Sequence, residues 1–161
     1  MSKPALHSPA PDFTAAVIGG DYHEGGLLTL SALLGRTVVL YFYPKDSTPG
    51  CTKQACALRD GWKKIAKKAL VFGVSTDSIK SHAKFIRTQD LPFPLIADED
   101  RSIVEAYGVW VEKSLYGKKY MGTERSSFVI DPEGRVTAIL EKVKPDEHLD
   151  ALLAVLHANA A

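Results

Sequence analysis

Cysteine is nearly absent from this chain of 161 residues, which has only Cys51 and Cys56. Two thiols are too few for a disulfide-rich secreted scaffold or a four-thiolate zinc site. A charge excess is also missing: twenty basic and nineteen acidic residues leave a formal net charge of +1. That balance argues against a nucleic-acid binder, which usually carries a basic face, and against an acidic disordered chain. Long apolar runs are lacking too. No window approaches the ~18 apolar residues of a membrane span, and the longest strongly apolar run is Val38 to Tyr43. The start, MSKPALHSPAPDF, lacks the apolar core of a secretory signal. A cytoplasmic protein with no membrane or nucleic-acid partner is expected. There thiols stay reduced, and a cysteine pair is more often catalytic, redox-sensing or metal-binding than structural. Phosphate-binding glycine loops are absent as well. Gly19-Gly20, Gly25-Gly26 and Gly50 are turn punctuation and sit in no GxGxxG or GxxxxGKS/T arrangement. The histidines His7, His23, His82, His148 and His157 form neither HExxH nor a Cys/His cluster at zinc spacing, so no metal and no bound cofactor is expected.

What is present fits one globular domain spanning 1–161: 45% hydrophobic, 24% charged, with a length that buries a sizeable core. Phe13–Val17 and Leu27–Leu30 read as short strands around a glycine-rich turn, and Ser31 as the cap of a helical turn through Leu34. Thr37–Tyr43, β-branched and aromatic, reads as a buried central strand. Pro49–Lys68 reads as one helix, its apolar stripe formed by Ala55, Leu58, Trp62, Ile65, Ala66 and Ala69. Leu70–Ser75 is the next buried strand. Asp77 or Ser78 caps a helix to about Thr88. Leu91–Ile96 is extended, Ser102–Tyr107 is a helix ended by Gly108, and Val109–Glu112 is a short strand. Arg125–Ile130 and Arg135–Glu141 are strands joined by the turn Asp131-Pro132-Glu133-Gly134. Pro145 opens the last helix, with Leu149, Leu152, Leu153 and Leu156 on its apolar face. Strand–helix–strand in the middle predicts a parallel crossover. The whole predicts an α/β fold, a central mixed β-sheet flanked by helices, compatible with a thioredoxin-like fold.

Cys51 falls in the first turn of the helix that follows the central strand. Unpaired backbone N–H groups and the positive dipole end lie there, and both favour thiolate over thiol. Cys51 also continues the apolar stripe through Ala55, Leu58 and Trp62, which predicts a pocketed sulfur. Cys56 lies about 140° further round the axis, toward Arg59, Asp60 and Lys63. Ideal helix geometry separates the two Cα atoms by about 8.6 Å, beyond the roughly 4.4–6.8 Å that a disulfide spans. A bond between them therefore requires the helix start to unwind. Two free cysteines packed as small hydrophobes remain the alternative at this level.

The residues before Cys51 narrow the choice. In FYPKDSTPGCTKQAC, Pro44, Thr48 and Cys51 match PxxxTxxC, and the stretch resembles the bacterioferritin-comigratory, or Q-type, branch of the peroxiredoxins. APDF, STDS, PLIADED, AYGVW, YGKKYMG, ERSSFVIDPEG and VKPDEHLDALL are similar to that branch along nearly the whole chain. The resemblance implies a thiol peroxidase acting on hydrogen peroxide and organic hydroperoxides, with Cys51 as the peroxidatic residue. It implies Thr48 as a hydroxyl partner, Pro44 as a shield against water, and Arg125 as the guanidinium near the sulfur. It implies Cys56 as the resolving thiol, giving an intramolecular disulfide reduced by thioredoxin or glutaredoxin. That route needs no second subunit, so a monomer is expected, with a dimer possible. Gln54 stands where the branch often has Glu, and Ser126-Ser127 where Thr is frequent.

Taken singly, Thr48 would be a helix cap, Pro44 a strand terminator and Arg125 a surface charge. His148 reads as a helix-surface residue and the Lys63, Lys64, Lys67, Lys68 run as a solvated face. Trp62 reads as core, and Trp110 and Tyr116 as a pocket rim. A redox sensor using the same two thiols is the alternative function. A CxxC-type oxidoreductase fits poorly, because four residues separate the cysteines.

Overall fold

The computed structural model describes residues 2–158. In chain order the strands and helices begin with β1 (Thr14–Ile18), β2 (Gly26–Thr29), β3 (Val38–Phe42), α1 (Pro49–Asp60), α2 (Trp62–Ala66), β4 (Leu70–Ser75) and α3 (Ile79–Gln89). They continue with β5 (Leu95–Ala97), α4 (Ser102–Ala106), β6 (Trp110–Leu115), β7 (Lys118–Thr123), β8 (Ser126–Ile130), β9 (Val136–Leu140) and α5 (His148–Ala158). Seven strands form one sheet in the order β2-β1-β5-β4-β3-β8-β9. β3 runs parallel to β4 and β4 to β5, as the crossover requires, while β8 runs antiparallel to β3. This is the expected central mixed sheet flanked by helices.

The pleat of β3 divides the molecule. Successive strand residues face opposite sides. Val38, Leu40 and Phe42 enter one core with Phe128, Val104 and Tyr107. Val39, Tyr41 and Tyr43 enter the other with Cys51, Ala55, Leu58, Phe85 and Leu152. Both faces are therefore buried, which is why Val38–Tyr43 is apolar throughout. α1, α3 and α5 cover the second face. Full burial of a side chain such as Leu58 contributes about 1.5–3 kcal/mol.

Three elements differ from expectation. The single helix Pro49–Lys68 is two helices, broken at Gly61. Leu149 of α5 packs where a Gly61 side chain would stand, since a Cβ there would lie 2.8 Å from Leu149 Cδ1. The apolar stripe runs through the break and conceals it. The short strand Val109–Glu112 is instead β6, six residues long and paired with β7, which no periodicity announced. Both strands are largely exposed, so they lack an apolar alternation. Tyr116 (φ 51°) and Gly117 (φ 80°) form the two-residue turn, and only the Tyr-Gly pair marks it in the sequence. The last helix starts at His148 rather than Pro145. Elsewhere the bounds move by a residue or two: β1 and β2 are displaced by one, the helical turn spans Leu30–Leu33, and Arg125 precedes β8. The Ser78 cap holds, its hydroxyl accepting from the Ser81 N–H at 3.1 Å.

Candidate active site

Cys51 lies in the first turn of α1, directly after Pro49 and Gly50, and is buried with 2% of its surface exposed. Its burial follows from the stripe: Cys51, Ala55 and Leu58 all enter the second core. Arg125 reaches it from the loop between β7 and β8. Arg125 Nη1 donates to Cys51 Sγ at 3.5 Å and to Gln54 Oε1 at 2.6 Å. Gly50 permits the approach, because a Cβ on it would lie 3.2 Å from Arg125 Nη2. A fixed cation, the helix N-terminus and a buried sulfur thus share one place.

Behind this pair stands a buried polar chain. Gln54 is 1% exposed and His148 is fully buried. Gln54 Nε2 and His148 Nδ1 are 3.0 Å apart, and His148 Nε2 and Ser127 Oγ are 2.7 Å apart. Burial, and then the Arg125 charge, push the His148 pKa down to about 4. His148 is therefore not the surface residue that its helix pattern suggested. Its spacing to Leu152 and Leu156, four and eight residues on, was the available signal. Burial, and then the Cys51 charge, push the Tyr41 hydroxyl well above its ordinary range. That hydroxyl is buried without a hydrogen-bond partner among the described residues. Burial, and then Arg125, lower the Lys113 ammonium, which β6 brings to the same neighbourhood.

Residues 6–139 match the AhpC/TSA family. The chain belongs to that family. A putative peroxiredoxin Bcp of Coxiella burnetii is 50% identical over 127 residues, covering 78% of this chain and 84% of the relative. Peroxiredoxin Bcp of Bacillus subtilis is 45% identical over 148 residues, 91% of each. The solved structure of the Xanthomonas campestris bacterioferritin comigratory protein, studied for its alkyl peroxide reduction activity, matches with a TM-score of 0.84. It is 41% identical and covers 92% of each chain. The chain is thus a peroxiredoxin of the Bcp, or Q, branch, a thiol peroxidase with the thioredoxin-like fold of that group.

In this peroxiredoxin the loop from Pro44 to Thr48 is pinned from three sides. The Asp46 carboxylate is 5% exposed and accepts from Tyr43 Oη at 2.6 Å and Ser81 Oγ at 2.8 Å. His82 Nδ1 lies 2.6 Å from Asp46 Oδ2, and His82 Nε2 donates to the Ile96 carbonyl at 2.9 Å. The Asp46 N–H donates to Asp77 Oδ2 at 2.9 Å, which also accepts from Ser75 Oγ. Ser47 takes a left-handed φ of 62° within this frame. Sequence reasoning passed over Asp46 and His82. His82 sits three residues before Phe85 on the buried face of α3, which was the signal to read.

The proposed site residues are brought together in part. Cys51 and Arg125 meet, and Gln54 accepts from the same Arg125 nitrogen. Thr48 occupies the N-cap position of α1, but its hydroxyl donates back to the Lys45 carbonyl at 2.8 Å and caps no helix N–H. Pro44 is half-buried directly after Tyr43, at the entry to the pinned loop. Cys56 is half-buried on another face of α1, its thiol donating to Gln89 Oε1 at 3.4 Å. Arg59, one turn on, donates to the Gln89 carbonyl at 2.6 Å, so both residues rest on the end of α3. The two sulfurs are free, not bonded. Trp62 is half-buried against Phe93, at a ring separation of 5.6 Å. Tyr116 is 96% exposed at the hairpin turn, and Trp110 packs against the opposite core under the Arg101 guanidinium.

Proposed function

We propose that this peroxiredoxin reduces hydrogen peroxide and organic hydroperoxides with Cys51 as its attacking thiolate. The single observation that carries the assignment is the Arg125 guanidinium 3.5 Å from a sulfur at the first turn of a helix. The thiolate attacks one peroxide oxygen, the O–O bond breaks, and the other oxygen leaves as hydroxide or alkoxide and takes a proton. Cys51 becomes a sulfenic acid. Arg125 and the N–H groups of Gly50 and Cys51 stabilise charge moving onto the departing oxygen. Thr48 is the hydroxyl beside the peroxide, and Pro44 closes the pocket against water. The alkyl peroxide reduction studied in the Xanthomonas relative supports this substrate class.

Cys56 then attacks the Cys51 sulfur, a disulfide forms and water leaves. The two thiols sit on different faces of α1, so the first turns of the helix open for this step. Two features favour that opening: the Thr48 hydroxyl is turned away from the helix, and α1 ends at Gly61. A dithiol of the thioredoxin or glutaredoxin class reduces the disulfide by exchange and is itself oxidised. The test is peroxide consumption by purified protein with a thioredoxin system. Cys51→Ser abolishes it. Cys56→Ser allows one stoichiometric oxidation of Cys51 and no thioredoxin-dependent turnover. Turnover surviving Cys51→Ser would sink the assignment, and sustained turnover of Cys56→Ser would remove the resolving role. Oxidation-dependent partner binding without turnover would favour a redox sensor.

A further inference from the structure

We infer that His148 is a positioning residue for the peroxidase reaction: it fixes the orientation of the Gln54 amide, whose carbonyl holds Arg125 against Cys51. The inference rests on Cys51 as the reacting thiol and extends that site to α5.

The Arg125 guanidinium can only donate hydrogen bonds. The Gln54 atom 2.6 Å from Nη1 must therefore be the carbonyl oxygen. That places the Gln54 NH2 group toward His148 Nδ1, at 3.0 Å. An amide nitrogen only donates, so Nδ1 must accept and carries no proton. The one ring proton then sits on Nε2 and donates to Ser127 Oγ, 2.7 Å away. Every hydrogen bond from Arg125 to Ser127 has its direction set by its neighbour. Other charged or titratable groups facing the ring are the Arg125 guanidinium and Tyr41, whose ring centroid lies 5.7 Å away. Neither offers Nδ1 a proton acceptor that would stabilise an imidazolium. The low His148 pKa, about 4, agrees with a neutral ring at working pH.

His148 matters because Arg125 holds only one end of the amide. Without an acceptor at Nδ1 the Gln54 NH2 group is left buried and unpaired, and a rotation that brings it to another acceptor draws the carbonyl away from Arg125. Arg125 would lose its buried acceptor and with it the geometry at the sulfur. The chain spans distant segments, since Gln54 and His148 are 94 positions apart and Gln54 and Arg125 are 71. Docking of α5 thus completes the site.

Two measurements test this on the full-length protein. With 15N-labelled histidine, two-bond nitrogen–proton correlation at neutral pH should report His148 as the neutral ring with Nδ1 bare. A proton on Nδ1 overturns the inference. Single-turnover oxidation of Cys51 by hydrogen peroxide, without reductase, should slow about 10- to 100-fold in His148→Leu, the range for groups that orient a functional side chain. His148→Asn keeps an acceptor near the Nδ1 position and should recover most of that loss. A His148→Leu rate equal to wild type, or a His148→Asn rate as low as that of a folded His148→Leu, overturns it. If His148→Leu does not fold, the Asn variant and the tautomer still decide, with an Asn rate more than 100-fold below wild type counting against the inference. Failure of the peroxidatic assignment is recognised separately, by turnover surviving in Cys51→Ser.

Discussion

Replacing His148 by leucine should alter the pH dependence of stability in a way the burial of the ring dictates. An ordinary histidine titrates near 6.5, whereas burial and Arg125 hold His148 at about 4. A depressed histidine disfavours the folded state in acid. Between those two values the unfolded chain binds a proton that the folded chain refuses, so stability falls as pH falls through 6.5 and the loss is complete below about 4. Above 6.5 the group contributes no slope. At about pH 4.5 the loss comes to roughly 2.5 kcal/mol. Leucine has no such proton but leaves the Gln54 amide and the Ser127 hydroxyl buried without their partner, at a cost of about 2 kcal/mol at every pH. The wild type should therefore be the more stable protein at about pH 7.5, and the two should converge near pH 4.5. Urea denaturation at both pH values reads the difference. Asp98 acts with the opposite sign, because burial raises its pKa to about 6 and protonation on acidification then favours the fold. It is present in both proteins and largely cancels in the subtraction. A wild-type advantage that stays constant from pH 7.5 to 4.5 would refute the reasoning.

Arg125→Lys keeps the charge but loses the planar fork that serves Gln54 and Cys51 together. Stopped-flow oxidation of Cys51 should slow by about 100-fold, comparable to removal of one oxyanion donor. Gln54→Glu still accepts from Arg125 but cannot donate to His148 Nδ1, so the ring should take up a proton. Its titration, followed by nuclear magnetic resonance, should rise from about 4 to above the ordinary 6.5. Gly61→Ala places a methyl group 2.8 Å from Leu149 Cδ1 and should cost about 1–3 kcal/mol in urea denaturation. Asp46→Ala removes the acceptor shared by Tyr43 and Ser81. It should destabilise the protein by about 2 kcal/mol or more and raise amide exchange in the Pro44–Thr48 loop.

The order of strands and helices and the place of Cys51 were readable because each rests on a local pattern. The unbroken run Val38–Tyr43 specifies a strand buried on both faces. Pro49 and the spacing of Cys51, Ala55 and Leu58 put the thiol in a first turn and on a buried stripe. Arg125 could be named only through its flanking motif, since nothing local distinguishes it from a surface charge. The features that stayed hidden depend on distant partners. His148 lies in a helix with exposed neighbours, and its burial follows from Gln54 and Ser127, far away in sequence. The Gly61 break follows from where α5 crosses. The β6–β7 hairpin buries little on either face, so no hydrophobic periodicity records it.

Gly61 also sets a limit on motion. It separates α1 from α2, and Ile65 and Ala69 behind it are anchored in the core independently of the first helix. A fray that starts at the uncapped Thr48 end and travels along α1 meets a discontinuity there, with Leu149 wedged against it. The opening that a Cys51–Cys56 bond demands is then a small cooperative unit of about a dozen residues rather than the global transition. In hydrogen exchange, oxidation should expose the amides of Gly50 through Arg59 while those of β3, β4 and α5 keep their protection. On the proposed cycle the catalyst opens locally in each turnover and yet remains folded, with its sheet acting as the template on which the residues of α1 refold.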